Sequence, residues 1–223
     1  TYDVVIHYNR SDEEARQTAA RVETKGSKAY LLQRDLTADV TGLISQAQEL
    51  CAGGLHLLIN SASCYESGQI RDTTVEQFDR IMTTNFRAPF FLCQEFRSEA
   101  GTGQIINILD NKIHFAQFAY STYVLSKKAL ADLTMLAARE FAPDIRVNGI
   151  APGVILPQKN RSSEYLNWRL DNIPLKRKGH VADIIHALDF LLKSDFLTGQ
   201  ILTVDGGESI QPAGRDFTGY GSD

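Results

Sequence analysis

Short apolar runs alternate with longer stretches of helical period along the whole chain, and few folds accommodate that order. Val4-Val5-Ile6 and residues 29–32, 55–59, 105–109, 145–150 and 201–204 read as strands. Residues 55–59 are apolar throughout, as a parallel strand buried on both faces should be. Helical segments fall between them at about 11–25, 40–51, 75–84, 89–100, 122–141 and 181–192. Ser11 and Glu14 are spaced to open the first helix as a capping box, and Pro143 stops the helix that begins near residue 122. This alternation predicts an α/β fold, a doubly wound parallel sheet with helices on both faces. Residues 1–210 are expected to form a single domain and residues 211–223, with Gly214, Gly219 and Gly221, a loose tail. Ligands bind such sheets at the carboxyl ends of the strands. The long connection over 151–179, with Pro152, Pro157 and Pro174 and an amphipathic stretch at 164–170, is either a lid over that site or a plain surface excursion.

Composition removes several function classes. A chain of 223 residues, 43% hydrophobic and 22% charged, can bury one sizeable core. Its net charge of -4 argues against a nucleic-acid surface, and Lys176-Arg177-Lys178 is too short a run to build one. Cys51, Cys64 and Cys93 lack the spacing of a zinc site and cannot all pair, which favours a reducing, cytoplasmic setting and no metal. No apolar stretch reaches membrane-spanning length and no signal peptide opens the chain, so neither a membrane nor secretion is expected.

Tyr123 and Lys127 lie four apart, on one face of the expected helix, where the cation can favour the phenolate and make the tyrosine a usable proton donor and acceptor. Asp110 precedes Tyr123 by thirteen residues, at the end of an expected strand. Taken alone, Tyr-x-x-x-Lys also describes an ordinary exposed helix pair. Its neighbours separate the two readings.

With those neighbours, nearly the whole chain from Tyr2 to Ile210 resembles the short-chain dehydrogenase/reductase family, with its Rossmann-like sheet. Asn60-Ser61-Ala62-Ser63 looks like the family turn that holds the adenosine side of the cofactor and steadies the central sheet. Asn85 in Thr-Asn-Phe resembles the asparagine that completes a proton relay through water. Residues 146–153, Arg-Val-Asn-Gly-Ile-Ala-Pro-Gly, match the segment along the nicotinamide, which implicates Pro152, Gly153 and Val154. Asp205-Gly206-Gly207 matches the closing turn, and Asp35-Leu36 resembles the adenine contact.

Departures from the family pattern narrow the reading. Most members carry serine where this chain has Asp110, and a carboxylate there would oppose the negative charge that a reacting ketone develops. A nitrogen heterocycle suits it better, because ring N–H and amino groups can donate to a carboxylate. Asp110 could instead simply cap a turn. Tyr65, two residues beyond Ser63, offers a ring to stack on a planar substrate or to close a loop over the core. Pteridine reductases are similar in these features, and the resemblance implies a pterin or dihydrofolate-like substrate, hence a place in folate metabolism. His7-Tyr8-Asn9-Arg10-Ser11 follows the first visible strand, where a guanidinium and a hydroxyl suit the 2'-phosphate of NADP, so NADPH is the expected cofactor with contacts from His7, Asn9, Arg10 and Ser11. The bland alternative is a solvated Arg10 and a Ser11 that only caps.

The family's first strand and Gly-rich turn should precede Tyr2. Without them Val4-Val5-Ile6 and Leu57-Leu58-Ile59 would lack a neighbour, and truncation of a longer chain is the favoured explanation. The resemblance implies that Tyr123 donates a proton while Lys127 holds the nicotinamide ribose and lowers the tyrosine pKa. It also implies that Asn85 positions a water, and that Asp110, Tyr65 and Leu156 meet the substrate. The resemblance further implies association through the helices at 90–96 and 122–141, as a homotetramer or else a dimer. The alternatives are a general ketone reductase and a non-catalytic relative.

Overall fold

In a computed structural model, residues 2–51, 53–157 and 162–211 are described. The tail expectation for 212–223 lies outside them. Six strands and seven helices follow in order: β1 (Val4–Tyr8), α1 (Asp12–Glu23), β2 (Ala29–Gln33), α2 (Leu43–Leu50), β3 (Leu57–Asn60), α3 (Val75–Met82), α4 (Ala88–Ala100), β4 (Gly103–Ile108), α5 (Ser121–Phe141), β5 (Ile145–Pro152), α6 (Ser163–Asp171), α7 (Val181–Lys193) and β6 (Ile201–Val204). Each apolar run of the sequence is a strand. A π-helical turn, Thr83–Arg87, joins α3 directly to α4.

All pairings are parallel, as the alternation predicts, but the strands form two sheets rather than one. β1 pairs with β2 from Val4 opposite Ala29 to Tyr8 opposite Gln33. The other sheet runs in the order β3-β4-β5-β6. A cleft of about 990 Å3 lies between them, lined by Val5 and His7 of β1 and by Leu57 and Ile59 of β3. The burial expected of β1 and β3 is therefore only half realised. Both are edge strands on the cleft, and Ile59 is 39% exposed.

The four-stranded sheet is covered on both faces. Side chains alternate across a strand, so Ile105 and Val147 face a core shared with Leu92, Phe96, Leu130 and Ala137 of α4 and α5. Ile106 and Ile150 face the other side, against Leu191 of α7. Each such fully buried side chain contributes about 1.5–3 kcal/mol by leaving water. Gly103 enters β4 at φ 146, where a Cβ would stand 2.6 Å from the His56 carbonyl oxygen; only glycine lets β4 start this close to the chain preceding β3.

One helix start differs from expectation. Ser11 is the N-cap of α1, yet its ψ of 59 departs from the extended value, its side chain makes no cap hydrogen bond, and no capping box forms. Asp12, Glu13 and Glu14 meet the positive end of the helix dipole instead.

Candidate active site

Within each sheet every strand runs the same way, so the carboxyl ends of β3 through β6 share one edge, and Asp110 and Gly153 follow strand ends there. β4 ends at Ile108, and the chain enters a short 3-10 turn, Asn111–His114, that Asp110 caps with its own carboxylate through the Lys112 N–H at 2.9 Å. The other carboxylate oxygen accepts the Tyr123 hydroxyl at 2.7 Å. Asp110 thus caps its turn and holds the tyrosine at once. Tyr123 projects from the first turns of α5 and is 4% exposed.

Lys127 lies one turn further along α5. Its Nζ donates to the Ile108 carbonyl at 2.8 Å and stands 5.9 Å from the centre of the Tyr123 ring. Burial brings its pKa down to about 8, against the opposing pull of Asp110. The expected lowering of the Tyr123 pKa is not found. Burial, followed by the charge of Asp110, raises it well above the usual value. A phenolate here would stand against a carboxylate at hydrogen-bond distance, and the buried ammonium is committed to a backbone carbonyl. Tyr123 accordingly keeps its proton at neutral pH and donates it in the hydrogen bond to Asp110.

Asn85, wholly buried in the π-helical turn, is engaged by the protein. Its Oδ1 accepts the Cys64 N–H at 2.7 Å, while Nδ2 donates to the Cys64 carbonyl at 2.9 Å and to Ser126 Oγ at 3.0 Å. Ser126, which lies inside the Tyr-x-x-x-Lys motif but is not singled out by it, donates in turn to the Tyr123 carbonyl at 2.7 Å. These bonds fix the loop that carries Tyr65. That ring stacks on Tyr120 at 4.5 Å and meets Tyr123 edge-on at 4.6 Å, so one of its faces is already covered. Burial raises the Tyr65 pKa as well, leaving a neutral phenol.

Asn60 does what the turn resemblance implies for the central sheet. It donates to Asn107 Oδ1 at 2.8 Å, and Asn107 donates to Thr134 of α5 at 2.9 Å. Ser61, Ala62 and Ser63 follow, exposed. Gly153 lies so near the closing turn that a Cβ would stand 2.6 Å from that of Asp205, and Pro152 and Val154 flank it. Leu156 is exposed.

The residues after β1 and β2 are more open. His7 bonds the Arg34 carbonyl through Nε2 at 2.8 Å, while Asn9, Arg10 and Ser11 are exposed. Asp35 accepts from the Thr37 N–H at 2.8 Å and hydroxyl at 2.7 Å. Those Thr37 bonds, with smaller contributions from Asn9 and Arg10, hold its carboxyl below the usual range. Leu36 packs in the core and lines the cleft between the two sheets. Among the described residues no group of three His, Cys, Asp or Glu side chains could hold a metal. No described helix is long and apolar enough to cross a membrane.

A parallel sheet whose carboxyl edge gathers a helix-borne Tyr-x-x-x-Lys pair, a caged acidic partner and an asparagine-steadied turn defines a class of oxidoreductases. The chain belongs to the short-chain dehydrogenase/reductase family. A family model described as Enoyl-(Acyl carrier protein) reductase matches residues 2–209. An uncharacterized oxidoreductase of Thermotoga maritima is 29% identical over 89% of this chain and 84% of its own length. A 3-oxoacyl-(acyl-carrier-protein) reductase, FabG, of Staphylococcus epidermidis is 27% identical over 92% of this chain and 88% of its own. Among solved structures, FolM alternative dihydrofolate reductase 1 from Brucella suis in complex with NADP superposes with a TM-score of 0.88 at 30% identity, covering 94% of this chain and 85% of that one. The corresponding Brucella canis protein, complexed with NADP, gives 0.86 at 30% identity.

Proposed function

We propose that this chain is an NADPH-dependent reductase that reduces a C=N bond of a pterin or dihydrofolate-like ring. The observation that carries the reading is the Asp110 carboxylate at 2.7 Å from the Tyr123 hydroxyl, where most of the family has a serine. A carboxylate in that place accepts from ring N–H and amino groups and repels a developing alkoxide. The NADP-bound FolM proteins support both the cofactor and the substrate class.

The described residues fit the cofactor. The Ser11 hydroxyl is not committed to capping, and Arg10 stands exposed beside it, which suits a 2'-phosphate. Asp35 and the exposed turn 61–63 suit the adenosine, while Lys127 and the segment 152–154 suit the nicotinamide end. Bound there, NADPH would supply a hydride to the ring carbon. Tyr123 donates the accompanying proton to the ring nitrogen, so that C=N becomes CH–NH. Asp110 takes up a ring or amino N–H and orients the substrate. Asn85 keeps the loop of Tyr65 in place, so the aromatic wall stays against the ring.

The FabG relatives favour a second reading, reduction of a ketone. NADPH oxidation by the protein with dihydrobiopterin and with a 3-oxoacyl thioester decides between them, run on the wild type and Asp110→Ser. Dihydrobiopterin turnover that Asp110→Ser abolishes supports the pterin reading. Ketone turnover that improves in Asp110→Ser overturns it.

We also propose that copies associate, as a tetramer, through α4 and α5, whose Phe90, Phe91, Leu125, Met135 and Leu136 are exposed. Light scattering giving a mass of one chain would refute this. Three free thiols support a cytoplasmic setting.

A further inference from the structure

Glu208 follows the closing turn and is wholly buried, although it neither lines the site nor touches Tyr123. Its two carboxylate oxygens serve different parts of the molecule. Oε1 accepts from the Arg169 guanidinium of α6 at 3.3 Å. Oε2 accepts from Asn111 Nδ2 at 2.8 Å, and the same Nδ2 also reaches Asp205 Oδ2 at 3.2 Å. Asn111 is itself buried and is the residue next to Asp110. The Arg169 Nε is buried without a hydrogen-bond partner. An arginine taken out of water depends on its anionic partner, so α6 is seated by Glu208.

We propose that Glu208 is a positioning residue that holds α6 and the Asp110 loop in one mutual arrangement, so that the Asp110–Tyr123 pair is set against α6. This rests on the reductase reading above for its effect on turnover, but its geometry does not. The connection runs from Arg169 through one oxygen of Glu208 to the other, then through Asn111 to Asp110 and Tyr123. Two acceptors on one rigid group are what the arrangement needs. Glutamine offers one acceptor and one donor, so it can serve one arm only.

Glu208→Gln separates this from a general structural role. Misplacement of reacting groups costs up to about 100-fold in rate, so kcat with NADPH and dihydrobiopterin should fall by about 10- to 100-fold while KM for NADPH changes by less than about two-fold. Trp168, the single tryptophan of the chain, lies one residue from Arg169 on α6 and reports its seat through acrylamide quenching. Quenching should increase in Glu208→Gln. Unchanged quenching, or increased quenching with unchanged kcat, would overturn the proposal. Arg169→Met and Asn111→Ser ask the same question with Glu208 intact. If both act through one joint, the double variant should lose little more kcat than the worse single variant, whereas losses that multiply would overturn the joint. Asn111→Ser needs no substrate to be informative. It should expose Trp168 across the joint, and unchanged quenching counts against the proposal. A wild type inactive on dihydrobiopterin would sink the reductase reading alone, because the quenching result stands independently.

Discussion

The two ends of the candidate site are built on opposite terms. At the Tyr123 end the polar side chains are buried and already bonded to protein: Tyr123 to Asp110, Lys127 to Ile108, Asn85 to Cys64 and Ser126. At the β1–β2 end Asn9, Arg10 and Ser11 stand in solvent, and the strands behind them are half-buried along the cleft. The first end is preorganised, because each polar group there had to find a partner to be buried at all. The second leaves its polar groups in solvent, where the cofactor phosphate is proposed to bind. Substitutions should therefore divide cleanly, with loss of turnover at one end and loss of affinity at the other.

The strongest way to break this division is Tyr123→Phe. A general acid is worth about 100- to 10,000-fold, so kcat should fall by that order while the NADPH dissociation constant, read by nicotinamide fluorescence, moves by less than about two-fold. A comparable loss of NADPH affinity would mean that the two ends are not separable.

Lys127 sharpens the comparison through pH. Its folded pKa is about 8 against an unfolded value of 10.5. Below about pH 8 both states carry the proton and the folded state bears the cost of a buried cation. Between 8 and 10.5 the folded state has lost the proton while the unfolded chain retains it, so the unfolded state binds more protons and stability rises with pH. The full rise amounts to roughly 3 kcal/mol at 1.36 kcal/mol for each pKa unit. Urea unfolding at pH 7.5 and 9.5 should show the wild type gaining stability relative to Lys127→Met. A difference that stays constant across that interval would place the lysine in a more polar setting than its 2% exposure implies.

How far the sequence reveals each end follows the same contrast. Strands and helices are legible because apolar period is local, and the Tyr123, Lys127 and Asp110 constellation because it spans few residues on two adjoining elements. What escapes is long-range pairing. Arg169 and Glu208 are separated by 39 residues and Asn85 and Cys64 by 21, and nothing in the composition near either announces the other. The pKa of Tyr123 escapes for a related reason. Spacing places Lys127 one turn away but cannot tell that its ammonium turns to the Ile108 carbonyl, leaving the carboxylate as the closer charge. Ser11 misleads in the other direction. Ser-x-x-Glu has the form of a capping box, yet the backbone angle at Ser11 carries the hydroxyl away from the helix N–H groups.

That same hydroxyl provides the mildest test of the comparison. Removing a working N-cap serine costs about 1 kcal/mol. Because Ser11 makes no cap bond, Ser11→Ala should leave the unfolding free energy within about 0.5 kcal/mol of wild type, as surface substitutions do. A hydrogen bond to a charged group is worth about 1.5 kcal/mol or more, so the same substitution should weaken NADPH binding by about ten-fold and leave NADH binding unchanged. Isothermal titration with both nucleotides, alongside urea unfolding, reads the two effects separately. Lost stability with unchanged NADPH affinity would return Ser11 to the role of a helix cap and move 2'-phosphate recognition onto Arg10 alone.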